Sequence, residues 1–184
     1  MKELENCRVA IIATDGVEEV ELVEPRRALD QAGARTELIA PKPGEIQGFK
    51  HHDKSSRLKV DRTLEQANPE DYDAVLLPGG ALNADEIRVD ERLKRFLRAM
   101  QEGGKPLAVI CHAPWELISA GLAKGRRLTS FHTIQDDLRN AGAEWEDREV
   151  VVDDNLVTSR KPDDLPAFNR EMIKLFGRRP AAVR

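Results

Sequence analysis

The stretch Pro106-Leu-Ala-Val-Ile-Cys-His-Ala-Pro-Trp115 decides how the rest of the chain is interpreted. Its apolar run from Leu107 to Ile110 predicts a buried strand, which ends at the pair Cys111-His112. Pro114 follows, and proline is favoured in the first turn of a helix, where no N–H donor is needed. The sequence therefore predicts that Cys111 lies where a buried strand turns directly into a helix.

This position gives Cys111 two interpretations. At the N-terminus of a helix, the positive end of the dipole lowers the pKa of a thiol and favours the nucleophilic thiolate. The carboxyl end of a buried strand is also where open α/β sheets bind ligands. Free cysteines are nevertheless among the most buried residue types, and many serve packing alone. The local pattern leaves both roles open for Cys111, whereas Cys7, at the head of an apolar run, is predicted to be a core residue.

The composition argues against several classes of function. The 184 residues carry a formal net charge of −4 with both signs mixed along the chain, which argues against nucleic-acid partners. No apolar segment is long enough for a signal peptide or a membrane span, so no membrane partner is expected. Two cysteines without an export signal favour a reducing cytoplasm. No linker divides the chain, so residues 1–184 are predicted to form one domain.

Apolar runs alternate with helical patterns along the chain. This alternation favours an α/β fold, a three-layer flavodoxin-like sandwich whose mainly parallel sheet has helices on both faces. The glycine motifs that cradle dinucleotides and nucleotide phosphates are absent, so no cofactor is predicted. The predicted strands are Arg8–Ala13, Thr36–Ala40, Ala74–Leu77, Leu107–Ile110, Leu128–Phe131 and a hairpin of Glu149–Asp153 with Leu156–Ser159. The predicted later helices are Leu93–Met100, Trp115–Ala120, Ile134–Ala141 and Asp163–Phe176.

Two segments give weaker patterns. The helical pattern from Val17 to Ala32 contains Pro25, which predicts a kink or a separate first turn. The segment Pro41–Ser56 has no period and predicts a long loop, followed by a short strand at Leu58–Val60. The loop contains His51-His52-Asp53, and these residue types can bind a metal. Because adjacent side chains usually point apart, a solvated loop is favoured and no metal site is predicted.

Two further motifs adjoin predicted strand ends. Pro78-Gly-Gly80 ends the third strand, and paired glycines either offer N–H groups as an oxyanion hole or form a plain tight turn. Gly16-Val-Glu-Glu-Val-Glu21 lies at the junction of the first strand and helix, where acidic residues also suit the helix dipole.

Together these motifs, in this order, resemble the ThiJ/PfpI superfamily. Further matches favour its PfpI-like branch, and the resemblance covers about residues 8–177, the core of the predicted domain. It implies the flavodoxin-like fold of class I glutamine amidotransferases. The matching stretches are Glu18-Glu-Val-Glu21, Leu77-Pro-Gly-Gly80, Ala108–Pro114, Ile118–Leu122, Gly125–Thr129, Asn140–Trp145, Glu149–Asp153 and Val157–Asp164.

The resemblance implies roles for three side chains. Cys111 matches the nucleophile, held in a strained backbone at the elbow. Glu21 matches the glutamate whose protonated carboxyl donates a hydrogen bond to the thiolate. His112 follows the nucleophile, as in the peptidase-like members. Because residues adjacent in sequence rarely form an in-plane Cys–His pair, His112 is either a proton shuttle or a bystander.

The resemblance also implies an oxyanion hole and a subunit contact. Gly79 and Gly80, with the amide of His112, match the oxyanion hole. In PfpI-like oligomers an acidic residue after the glycines orients the histidine across a subunit interface. Asp85 is the match here, and Glu86 is the alternative because the segment after the glycines is longer in this chain.

The function implied is that of a cofactor-free stress-protection hydrolase. Its cysteine would attack carbonyl electrophiles as an intracellular cysteine peptidase or a glyoxalase/protein deglycase, acting on small carbonyl compounds, peptides or glycated proteins. The implied partner is the protein itself, as a homodimer or as a hexamer built from such dimers. One alternative is a non-catalytic oxidative-stress sensor or chaperone-like protein whose cysteine is oxidised. Another is a flavodoxin-like binding module with an inert cysteine.

The sequence generates a first prediction, that Cys111 is the reactive thiol and Cys7 is not. Limiting iodoacetamide at neutral pH should alkylate Cys111, because a thiol at a strand–helix elbow is more nucleophilic than one at the head of a core strand. The adducts are mapped by peptide mass spectrometry, with urea-unfolded protein as the control in which both cysteines react. Preferential labelling of Cys7 in the native protein would contradict the prediction.

Overall fold

A seven-stranded sheet forms the centre of the protein, whose computed structural model describes residues 2–178. The strands in that range are β1 (Arg8–Ile12), β2 (Val17–Glu18), β3 (Arg35–Ala40), β4 (Glu45–Lys50), β5 (Asp53–Lys59), β6 (Arg62–Thr63), β7 (Ala74–Leu77), β8 (Leu107–Ile110), β9 (Arg127–Leu128), β10 (Glu144–Trp145), β11 (Val151–Asp153) and β12 (Leu156–Ser159). The α-helices are α1 (Glu19–Gln31), α2 (Ala81–Ile87), α3 (Glu91–Glu102), α4 (Pro114–Ala120), α5 (Gln135–Asn140) and α6 (Leu165–Gly177). Short 3₁₀ helices lie at Pro69–Asp71, His132–Ile134 and Pro162–Asp164.

The order of the strands places a crevice at one edge of the sheet. The order is β11-β12-β8-β7-β1-β3-β6, and every neighbouring pair is parallel except β11 with β12. From β1 the chain adds β3 on one side and then returns to add β7 on the other. At such a switch point the connections leave in opposite directions, so a crevice opens at the carboxyl ends of β1 and β7.

Both faces of the sheet are buried, which confirms the predicted three-layer sandwich. Along β1, Val9 and Ile11 contribute to one apolar layer, whereas Ala10 and Ile12 contribute to the other. Helices α1 and α6 cover the first layer, and α3, α4 and α5 cover the second. Side chains of this kind each stabilise the fold by about 1.5–3 kcal/mol when fully buried. None of the helices within residues 2–178 is long and apolar enough to cross a membrane.

The predicted long loop at Pro41–Ser56 is wrong. Most of it forms the antiparallel hairpin of β4 and β5, and His51 occupies the turn with a positive φ of 58°. Strand β5 (Asp53–Lys59) is polar and largely exposed, so it lacks the apolar alternation that identifies a half-buried strand. Its hydrogen bonds to β4, rather than burial, define it as a strand.

Three other details of the fold differ from the predicted elements. Pro25 does not divide α1, since this buried proline lies inside one continuous helix that packs on the sheet. Helix α2 has no counterpart among the predicted elements, because seven residues without a long apolar period give little signal. Of the predicted strand Leu128–Phe131, only Leu128 lies in a strand, as the second residue of β9, which pairs with β10.

Candidate active site

Three connections meet at the carboxyl ends of β1, β7 and β8. They bring Glu21, Gly79 and Cys111 into contact: a Cβ placed on Gly79 would lie 2.5 Å from Oε1 of Glu21 and 2.6 Å from Cβ of Cys111. Only glycine fits at this position, so Gly79 allows the thiol and the carboxyl to approach each other. Glu21, Cys111 and His112 line a cavity of about 500 Å³.

Cys111 has a strained backbone, as the resemblance implies. Its φ of 63° lies in the left-handed region, which a residue with a Cβ rarely adopts. Two backbone hydrogen bonds hold it there: the Cys111 N–H donates to Ser159 O at 3.0 Å, and the Phe131 N–H donates to Cys111 O at 2.8 Å. This conformation ends β8 abruptly and leaves the side chain at the cavity, only 6% exposed.

Glu21 lies fully buried in the first turn of α1. Burial, together with the charge of Glu18, raises the pKa of Glu21 to about 8, against smaller opposing effects of the Cys111 side chain and the Gly79 amide. Neither carboxyl oxygen of Glu21 has a hydrogen bond of regular geometry among the residues that the structure describes. The carboxyl is therefore protonated at neutral pH and has a proton to donate.

The pKa of Cys111 departs from the sequence prediction. Burial raises the pKa of this thiol, and a negative charge on Glu21 would raise it further, whereas the amides of Gly80 and His112 lower it. The helix terminus thus acts in the predicted direction, but burial outweighs it. Two amides, those of Gly80 and His112, act on the sulfur of Cys111, whereas one, that of Gly79, acts on Glu21. We therefore expect the first negative charge of the pair on sulfur while Glu21 keeps its proton.

His112 is in contact with the thiol, although residues adjacent in sequence rarely form such a pair. Its Nδ1 lies 3.2 Å from Sγ of Cys111, and its Nε2 lies 3.4 Å from Oγ1 of Thr133. The imidazole stacks on Phe131 with ring centroids 4.7 Å apart. Burial, with the charge of His132, lowers the pKa of His112 to about 4. The ring is therefore neutral at pH 7 and has a lone pair that can accept the proton of the thiol.

The glycine turn supplies one of two amides that act on the sulfur. Gly80 has a φ of 93°, and a Cβ there would lie 2.5 Å from Gly16 O. The amides of Gly80 and His112 lower the pKa of Cys111, so both face the sulfur, whereas the Gly79 amide acts on Glu21. Of the three amides expected to form the oxyanion hole, two therefore act on Cys111 and one acts on Glu21.

Asp85 lies apart from the other predicted residues. It is exposed on α2, as is Glu86, and neither lines the cavity. Within residues 2–178, His112 forms no ion pair with a carboxylate, and its Nε2 faces the Thr133 hydroxyl instead. An acidic partner for His112 from another subunit remains a prediction.

Several residues of the cavity were missed by the sequence analysis. The Glu18 carboxylate is 9% exposed and accepts the His51 N–H at 3.1 and 3.2 Å. His51, His52 and Lys161 also line the cavity. Because the sequence predicts a loop where the β4–β5 hairpin lies, it does not place the two histidines of the hairpin turn at the cavity. Among the described residues, no group of three or more His, Cys, Asp or Glu side chains is arranged to hold a metal.

Comparison with known proteins identifies the relatives of this chain. The model of the DJ-1/PfpI family matches residues 7–175. A protein of Thermococcus kodakarensis named "Deglycase TK1284" is 45% identical over 170 residues, which cover 92% of this chain and 99% of that protein. A Bacillus subtilis protein named "Putative cysteine protease YraA" is 41% identical over 169 residues, covering 92% and 98%.

Solved structures agree with the sequence relatives. Drosophila melanogaster DJ-1beta superposes with a TM-score of 0.86 at 27% identity, and the match covers 94% of this chain and 92% of that one. The likeness therefore extends over nearly the whole fold.

The second prediction concerns Glu21 as the donor to Cys111. The pKa of the thiol should rise from wild type to Glu21→Gln, which keeps a donor with poorer geometry, and further to Glu21→Leu, which has none. A hydrogen bond to a charged group contributes about 1.5–3 kcal/mol, so Glu21→Leu should raise the pKa by about one to two pH units.

Ultraviolet absorbance of the thiolate against pH measures this series, with Cys111→Ala as the blank. Glu21→Asp, whose shorter side chain reaches less far, should titrate between Glu21→Gln and Glu21→Leu. Identical titration of all variants and wild type would show that Glu21 is merely an acid at a helix N-terminus.

Proposed function

Because the chain belongs to the DJ-1/PfpI family, we propose that it is a cysteine-dependent hydrolase of carbonyl electrophiles, of the glyoxalase/deglycase type. The observation that carries the proposal is the 3.2 Å contact between Sγ of Cys111 and Nδ1 of the neutral His112, beside the protonated Glu21. A thiol, a base and a donor of this kind are what thiol addition to a carbonyl needs.

The proposed first step is addition of the thiol to an aldehyde such as methylglyoxal. The proton of Cys111 passes to Nδ1 of His112 while a sulfur electron pair forms the bond to the carbonyl carbon. The C=O π pair moves onto oxygen, where the amides of Gly80 and His112 can stabilise the oxyanion. Return of the proton from His112 to this oxygen gives a hemithioacetal.

The later steps convert the adduct and restore the enzyme. The hemithioacetal becomes a thioester through an enediol: the proton on the aldehyde-derived carbon is transferred to the adjacent carbonyl carbon, and the proton of the adduct's hydroxyl is transferred to the oxygen of that carbonyl. Water then adds to the thioester, the C–S bond breaks and the sulfur recovers its proton. The net reaction adds one water and gives a 2-hydroxy acid, with no external oxidant or reductant.

Two observations favour a small carbonyl substrate over the alternatives. The sulfur is buried at a cavity of about 500 Å³, which suits a small electrophile better than an extended peptide. Burial also raises the pKa of Cys111, whereas peroxide sensing requires an accessible thiolate. The peptidase and oxidative-sensor functions are therefore less well supported.

We also propose that the protein works as a homo-oligomer. Leu82 and Val89, on and just after α2, are 60% and 69% exposed, and such side chains on the helix that carries Asp85 suit a contact with a second copy. A carboxylate from that copy would supply the acidic partner that His112 does not have among residues 2–178 of its own chain.

The third prediction tests the reaction. Purified protein should convert methylglyoxal to lactate, and Cys111→Ala should reduce turnover to the uncatalysed background, because the covalent step is lost. His112→Gln should lower kcat at least about a hundredfold by removing the base. A panel of methylglyoxal, glycated N-acetyl-lysine and casein separates glyoxalase, deglycase and peptidase activity. No turnover of any substrate would contradict the proposed function.

The fourth prediction tests the assembly. Light scattering should give a mass of at least twice the 20.6 kDa of one chain at micromolar concentration. Leu82→Asp should shift the protein toward monomer, since it places a charge in the proposed contact. Ala99→Asp introduces the same charge on the exposed side of α3 and should leave the mass unchanged. A wild-type protein of one-chain mass would rule out the assembly.

A further inference from the structure

Asn83 is a fully buried polar residue of α2 that the mechanism above does not use. Its carboxamide joins two strand ends. Oδ1 accepts the Thr14 N–H, just beyond β1, at 2.7 Å, and Nδ2 donates to Pro78 O at 3.1 Å and to Gly79 O at 3.0 Å, just beyond β7. Because Thr14 offers a donor and the other two groups are acceptors, only this orientation of the amide satisfies all three partners.

The hydrogen bond from Asn83 Nδ2 to Gly79 O fixes the orientation of the Gly79–Gly80 peptide. The same carbonyl also accepts the Glu18 N–H at 3.3 Å, so two donors hold it. In a trans peptide the C=O and the following N–H point in opposite directions. With Gly79 O directed at Asn83 and Glu18, the Gly80 N–H is directed away from them, toward the thiol of Cys111 on which it acts.

The Gly79–Gly80 peptide needs such a restraint because it joins two glycines. Neither residue has a Cβ to restrict rotation, and Gly80 already has a positive φ of 93°. Rotation of the unit would turn a carbonyl oxygen, rather than an N–H, toward the sulfur. Such a carbonyl would repel both a thiolate and the oxyanion of the adduct.

We propose that Asn83 is a positioning residue of the active site, whose carboxamide holds the Gly79–Gly80 peptide with its N–H directed at Cys111. The role in turnover rests on the proposed function, whereas the effect on the thiol does not. A purely structural role, joining the ends of β1 and β7, would affect stability but not the acidity of the thiol in the folded protein.

The test uses the isosteric change Asn83→Asp. The variant keeps an oxygen for the Thr14 N–H but loses the NH₂ donor to both carbonyls. Asn155→Asp is the matched control, because Asn155 Nδ2 also donates to a backbone carbonyl, Lys105 O at 3.2 Å, at the opposite end of the sheet. Asn83→Ala, which introduces no buried charge, serves as the second variant if Asn83→Asp does not fold. Each protein is assayed at a temperature where circular dichroism shows it folded.

Two measurements are made on each protein: the rate of alkylation of Cys111 by iodoacetamide against pH, and kcat and KM for methylglyoxal. Asn83→Asp and Asn83→Ala should shift the alkylation profile to higher pH and lower kcat by about ten- to a hundredfold, while KM changes by less than about threefold. Asn155→Asp should match wild type in both.

The outcomes separate the two proposals. Folded Asn83 variants whose alkylation profile matches that of wild type would show that Asn83 is only structural. Wild-type protein that turns over no methylglyoxal would contradict the proposed function, and the alkylation profiles would still decide the role of Asn83.

Discussion

A buried thiol and a buried carboxyl in contact can carry only one negative charge between them at neutral pH. Cys111 and Glu21 are such a pair. Gly79, which lies beside both, has no side chain to keep them apart, and the fold buries both groups away from water. Two like charges at this distance in a low-dielectric site would repel each other strongly. The remaining features of the site determine which atom takes the charge, and the backbone amides of Gly80 and His112 favour sulfur.

The sheet supplies those amides because of its topology. The switch point between β1 and β7 leaves room for the ends of three strands, and each end contributes one part of the site. The strained Cys111 is tolerated because strand β12 and the Phe131 amide hold its backbone from two sides. Ordinary backbone hydrogen bonds thus offset the strain at Cys111. The strained conformation places the thiol at the cavity, where a relaxed strand end would not place it.

How much the sequence predicts depends on whether the signal is local. The apolar run of β8, the glycines after β7 and Pro114 each specify their structure within a few residues, and so the elbow and its neighbours were predicted correctly. The β4–β5 hairpin, with its polar second strand, has no such local signal. The thiol pKa was predicted in the wrong direction because it depends on burial by segments distant in sequence, which the position of Cys111 at a helix terminus does not reveal.

The group that contacts Nε2 of His112 affects the protonation of the Cys111–His112 pair. The Thr133 hydroxyl can donate to or accept from Nε2, so it supports either neutral tautomer of the imidazole. It has no charge, however, and cannot offset the positive charge that His112 gains when it accepts the proton of Cys111. Burial already disfavours that imidazolium, as the lowered pKa of about 4 shows. Within one chain, therefore, Cys111 is a neutral thiol and His112 a neutral imidazole before substrate binds. A carboxylate from a second copy, as in the proposed assembly, would stabilise the charged pair at the moment when the sulfur attacks.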